Sequence, residues 1–315
     1  MMKIGVFVGF QSLETLEQKF ATLRENGFDN CQLSCWTMEV INEESAVQVR
    51  TLAEKYGITI SAVWAGWTGP MVWDFYEGPK TLGIVPEDLR ELRIPQLKNA
   101  SDFAKVLGVE DVITHMGFIP ENPNDPIFPG FCDAVRDVAL HCKANGQNLL
   151  FETGQETPVA MLRCFEEVGT GNLYVNLDTA NLILYGKANP VDALDVFGKY
   201  VRNLHAKDGF YPTNGHELGH ECRLGDGKVD FRAVLTKLHE LGFDRYVTIE
   251  REISGEQQAK DIEYAKNYLQ NILDEIYAKS YIKLKRPHRL MGAFFKRNDR
   301  YDKIRNGTGI SQKGL

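Results

Sequence analysis

Eight short apolar runs, each bounded by turn residues and separated by helix-patterned stretches, limit most tightly what this chain can fold into. They are residues 4–10, 28–36, 58–67, 111–118, 148–154, 173–181, 201–209 and 245–252. The runs are apolar on both faces rather than alternating, as parallel strands covered on both sides must be. Between them, residues 43–55, 90–107 and 131–144 are amphipathic, and Asn145-Gly146 stops the third of these before the fifth run. The segment NPVDALDVFGKY (189–200) opens with Asn189 as a cap and Pro190 at the first helical position. In 261–277, Ile262, Ala265, Tyr268, Leu269, Ile272, Leu273 and Ile276 follow the spacing of one buried helix face. Strand then helix, eight times over, predicts an α/β fold: a (β/α)8 TIM barrel spanning residues 1–280. A doubly wound open sheet is the poorer fit, because no GxGxxG follows the first run.

Composition excludes several classes. With 43% hydrophobic and 25% charged residues in a chain of 315, there is ample material for a core. No stretch approaches the roughly 20 apolar residues that cross a bilayer, and no cleavage-site pattern follows the N-terminal run, so a cytoplasmic protein without membrane contacts is expected. Six scattered cysteines with no CxxC pair predict free thiols in a reducing compartment. The net charge of −7 conceals an asymmetry. Residues 281–315 carry ten Lys/Arg and two acids, leaving 26 basic and 41 acidic side chains in the first 280. An acidic body argues against a nucleic-acid partner, since phosphate contacts need clustered Lys/Arg. The basic extension 281–315 is expected to be poorly ordered.

Three post-strand loops are long: 67–79, rich in aromatics; 118–130, with four prolines; and 209–230, studded with glycine. On a barrel such loops build the active rim. Four polar residues end consecutive strands there: Glu152, Asp178, His205 and Glu250. Three carboxylates and an imidazole cannot share one barrel mouth unpaired. A divalent cation resolves this by neutralising the acids and using their oxygens. Oxygen-rich ligation with one nitrogen suits Mn²⁺ first, then Mg²⁺ or Co²⁺, ahead of a thiolate-type zinc site, with Zn²⁺ a further option. Each residue also has a structural reading: Asp178 as a helix cap, the glutamates as ion-pair partners, His205 as a core histidine.

The motifs FETGQET, NLDTANL, HAKDG and TIERE, in this order, resemble the xylose isomerase-like TIM barrels of sugar isomerases and epimerases. Among these the chain is most similar to bacterial proteins described as sugar phosphate isomerase/epimerase, through LRELRIPQLKNASDFAKVLGV, GTGNL and KANPVDALDVFGKYVR as well. The resemblance implies that Glu152, Asp178, His205 and Glu250 ligate the metal. It also implies that Glu152 and Glu250 are the catalytic acid–base pair, as in ketose 3-epimerases, working through a metal-stabilised enediolate. It points to His115, Glu156, Asn181, Trp64, Trp67, Lys207 and Asp208 as substrate contacts. A small-molecule sugar or sugar phosphate is the implied partner, and a homo-oligomer is common in such proteins. Asp178-Thr179 departs from the Asp-Pro of the resembling proteins, and Asn181 stands where some place histidine.

Three other readings compete. An inosose dehydratase-like lyase would use the same site and the same proton abstraction. An AP endonuclease-like activity would need more metal-binding histidines than Asn181 leaves and a basic face. A non-catalytic sugar-binding protein is at odds with the retention of both glutamates.

Overall fold

The computed structural model describes residues 1–285, with side chains to residue 281. It divides into a compact unit, Met1–Gln270, and a second, Asn271–Leu315. The basic stretch from residue 286 onward, and with it the expectation of poor order there, lies outside the described residues. The boundary expected at residue 280 falls within the helix Glu256–Lys285.

The first unit is a closed barrel of eight parallel strands. In chain order the strands are β1 (Lys3–Gly9), β2 (Asn30–Cys35), β3 (Thr59–Ala65), β4 (Asp111–Thr114), β5 (Asn148–Glu152), β6 (Leu173–Asp178), β7 (Val201–Ala206), then a hairpin of β8 (Asp208–Phe210) and β9 (His220–Cys222), and last β10 (Tyr246–Ile249). Each barrel strand pairs with its sequence neighbours, and β1 closes the ring against β10 through Lys3↔Tyr246 to Val6↔Ile249. All six residues of β2 are buried, as a strand covered on both faces requires.

Local chemistry sets the helix boundaries. Asn42 caps Glu43–Tyr56 by accepting from the Ser45 N–H, and Gly57 ends that helix in the left-handed conformation. The Asn189 side chain caps Pro190–Phe197, as its spacing predicts. Arg90–Leu107 has the expected bounds, whereas the expected helix at 131 starts earlier, at Ile127, absorbing part of the proline-rich loop. Ala265 and Leu269 are buried on the last helix. The loop expected at 209–230 is partly ordered as the antiparallel pair β8–β9. At the N-terminal end of the barrel, buried Asp111 accepts from Arg202 Nε (2.9 Å), Asn148 Nδ2 (3.0 Å), Asn203 Nδ2 (3.1 Å) and Arg245 Nη2 (3.2 Å). That tie joins β4, β5 and β7 to the entry of β10. No helix among the described residues is long and apolar enough to cross a membrane.

Candidate metal centre

Strand register brings the acids together. Asp178, the last residue of β6, lies beside His205 on β7, and Glu152, the last of β5, beside Asn176. Glu250 sits one residue past β10, its N–H donating to the Ala206 carbonyl at 3.2 Å. One ligand atom from each of Glu152, Asp178, His205 and Glu250 lies within 4.8 Å of the others, and all four residues are buried.

His205 is the informative member. Its Nε2 lies 2.5 Å from Gln32 Oε1 across the barrel. An amide oxygen only accepts, so Nε2 carries the proton and Nδ1 presents a lone pair in the neutral ring. That nitrogen faces Glu152 Oε1 at 3.2 Å, Glu250 Oε2 at 3.2 Å and Asp178 Oδ2 at 3.8 Å. A lone pair directed at three carboxylates requires a positive charge between them. The histidine supplies one by taking a proton: although burial opposes its charge, Glu152 and Glu250 raise it well above its ordinary value. A divalent cation meets the same need through four ligands. Asp178 Oδ2 and His205 Nδ1 are both buried without a hydrogen-bond partner, and burial pushes the Asp178 carboxyl up to about 7 against the pull of Lys207. These residues fit a divalent ion.

Asp178 also satisfies its structural reading. Its Oδ1 caps the helix Thr179–Leu184 by accepting from the Asn181 N–H (2.8 Å), and Oδ2 turns to the cluster. Thr179, where proline was expected, ties the turn in another way: its hydroxyl donates to the Lys207 carbonyl at 2.6 Å.

The two glutamates have different surroundings. Glu152 Oε2 accepts from the Trp64 indole N–H, and Oε1 lies 3.6 Å from His115 Nε2. Burial works to raise Glu152, but His205 and His115 outweigh it and hold the carboxyl below its usual range. His115 itself is lowered by burial, against the pull of Glu152. Glu250 is opposed by burial too, yet Lys207 Nζ at 3.2 Å and then His205 hold it well below the carboxylate range. Lys207 is fully buried and reaches Glu252 (2.7 Å), Asn181 Oδ1 (3.3 Å) and Asp178 Oδ2 (3.6 Å).

Several expected substrate contacts take other positions. Trp67 is buried, packed on Trp36 and under the Arg93 guanidinium, so it is core and offers no stacking face. Trp64 is buried as well and serves Glu152 through its N–H. The most exposed tryptophan is Trp73, 39% exposed and 5.2 Å edge-on from His115. Asp208 is fully buried, and both its oxygens accept backbone N–H groups of the following loop, so it organises that loop instead of facing a substrate. Glu156 is buried apart from the four, with Lys187 and Glu121 as its charged neighbours, and burial pushes it up to about 8. Gln32, Trp73 and Glu252 escaped the sequence reading: Gln32 and Trp73 reach the site only through the closed barrel, and Glu252 lies two residues beyond the motif's last ligand.

A family model described as xylose isomerase-like TIM barrel matches residues 20–272. The chain is similar to a xylose isomerase domain protein from Planctomyces limnophilus, 31% identical, with 88% of this chain and 99% of that one covered and a TM-score of 0.82. Lower-identity likenesses bear on the fold alone. One is to a xylose isomerase-like TIM barrel protein from Mycobacterium smegmatis in complex with magnesium (17% identical, 88% and 98% covered, TM-score 0.66). Another is to an L-ribulose 3-epimerase (19%, 90% and 98%, TM-score 0.67).

Proposed function

Since the chain belongs to the xylose isomerase-like TIM barrel family, we propose that it is a metal-dependent sugar isomerase or epimerase in which Glu152 and Glu250 move the proton. The observation that carries this reading is His205 Nδ1, turned toward three carboxylates while Nε2 meets Gln32.

Glu152, Asp178, His205 and Glu250 would hold the cation, with Mn²⁺ as the first choice for so oxygen-rich a set. When bound, the cation supplies the positive charge that favours an oxyanion next to the carbon losing its proton. The chain's own groups do the remaining work. One glutamate takes the proton from the carbon beside the carbonyl, and the other returns one. Return to the opposite face gives an epimer, and return to the neighbouring carbon gives the aldose–ketose isomer. The two glutamates have different partners: Lys207 Nζ lies 3.2 Å from Glu250, and the Trp64 indole N–H donates to Glu152. Trp64 fixes the angle of Glu152, and Lys207 fixes that of Glu250. His115 stands beside Glu152 as a mostly neutral imidazole able to donate to a substrate oxygen.

The test is deuterium incorporation from D₂O, followed by NMR, into ketoses and ketose phosphates with metal-stripped and Mn²⁺-reloaded protein. Exchange at the carbon next to the carbonyl, dependent on metal and abolished in Glu152→Gln and Glu250→Gln, is the expected outcome. Exchange that survives in both variants would remove the glutamates from the mechanism. Release of water from the substrate would assign the lyase outcome.

A further inference from the structure

Resting on the proton-transfer reading above, we infer that the substrate is an unphosphorylated polyhydroxy carbonyl compound, held by its hydroxyls and an apolar face. The glycine-rich loop after β7 carries the first argument. In barrels of this kind, loops after the last strands commonly cradle a phosphate with their backbone amides. Here the amides converge on a carboxylate of the chain itself. Asp208 Oδ1 accepts from Gly209 N (2.8 Å) and Val229 N (3.0 Å), and Oδ2 from Gly225 N (2.9 Å) and Gly227 N (3.0 Å). A Cβ at position 227 would collide with that carboxylate, so glycine is required for the close approach. The cradle is closed on an internal anion, and its donors are spent.

The second argument is charge. In the described loops following the barrel strands, five cations already face carboxylates: Lys80–Glu77 (3.1 Å), Lys187–Glu121 (3.8 Å), Lys207–Glu252 (2.7 Å), Arg223–Asp226 (3.0 Å) and Arg251–Glu221 (2.9 Å). Lys228 is exposed and lies over the Phe210 ring, 5.7 Å from its centroid. A phosphate ester brings a charge of about −1.5 to −2 at neutral pH. Placed near Glu152, Asp178, Glu250 and Glu252 it would meet repulsion, and among the described post-strand cations only Lys228 does not already face a carboxylate. A neutral sugar meets no such penalty. Its C–H face finds Trp73, which edges His115 and is partly exposed.

The experiment compares free ketopentoses and ketohexoses with their terminal phosphate esters on the Mn²⁺-loaded full chain, by deuterium exchange and by tryptophan fluorescence. The expected result is exchange with at least one free ketose and a kcat/KM for its phosphate lower by about a hundredfold or more, as an uncompensated charge dictates. A phosphate ester turned over as well as or better than the free sugar would overturn the inference while leaving the proton-transfer reading standing. If neither exchanges, that reading fails, and fluorescence decides this one. Quenching by the free ketose with none by its phosphate upholds the neutral-ligand assignment. Quenching by the phosphate, or by neither, defeats it.

Discussion

At the scale of the residue, the centre depends on which nitrogen of His205 bears the proton, and Gln32 decides that. Replacing Gln32 by leucine keeps much of the volume and removes the acceptor. The expected consequence is a metal affinity lower by about 10- to 100-fold, the usual cost of losing such a partner, measured by calorimetry with Mn²⁺. Unchanged affinity would mean that the histidine is oriented by other contacts. The sign of the pH dependence follows from the same residue. In the metal-free protein the carboxylates raise His205, so a proton holds Nδ1 below that raised value and must leave when a cation enters. Affinity should therefore climb with pH, with proton release that calorimetry in buffers of different ionisation enthalpy will detect. Of this chemistry, the four clustered residues were legible in the sequence because each lies at or beside the C-terminal end of a strand. Gln32 was not, since it sits mid-strand in β2 and meets His205 only after the barrel closes.

At the scale of the element, the loop after β7 hangs on Asp208, and the end of β10 hangs on a set of ion pairs. Arg251 joins Glu221 of β9 (2.9 Å) to Asp261 (2.8 Å), and Glu221 also accepts the Glu252 N–H at 3.1 Å. Glu252 in turn pairs with Lys207. Replacing Asp208 by alanine strands four backbone N–H groups, at about 1–3 kcal/mol for each one left dry. The amides of Gly225, Gly227 and Val229 should then exchange faster with solvent hydrogen, while those of β4 to β6 stay protected. Uniform acceleration across the barrel would show instead that the loop and the strands unfold together. Helix caps such as Asn189-Pro190 were readable because their chemistry is local. The β8–β9 pair was not: its three-residue strands have no periodic pattern, and Asp208 draws the loop in through backbone amides that no sequence motif displays.

At the scale of the whole molecule, two buried charged clusters sit at opposite ends of one barrel. Asp111 and its arginine and asparagine partners fasten the N-terminal end, and the candidate metal centre occupies the other. Asp111→Ala should cost about 3–5 kcal/mol, because it leaves a half-buried arginine unpaired, and lower Tm without altering metal stoichiometry. Mn²⁺ should raise the Tm of the unaltered protein in proportion to the logarithm of its concentration above the Kd. The eight-fold alternation made the architecture visible in the sequence, since strand and helix periods differ. Which aromatic residues face the mouth was hidden, because the burial of Trp64 and Trp67 depends on what the closed barrel packs against them.

The measurement that bears most directly on this account is the anomalous scattering of a crystal of the Mn²⁺-loaded protein at the manganese edge. One strong peak within bonding distance of Glu152, Asp178, Glu250 and the Nδ1 of His205 is the predicted result. A peak elsewhere, or no peak at the four residues under saturating Mn²⁺, would contradict the assignment of this cluster as the metal centre.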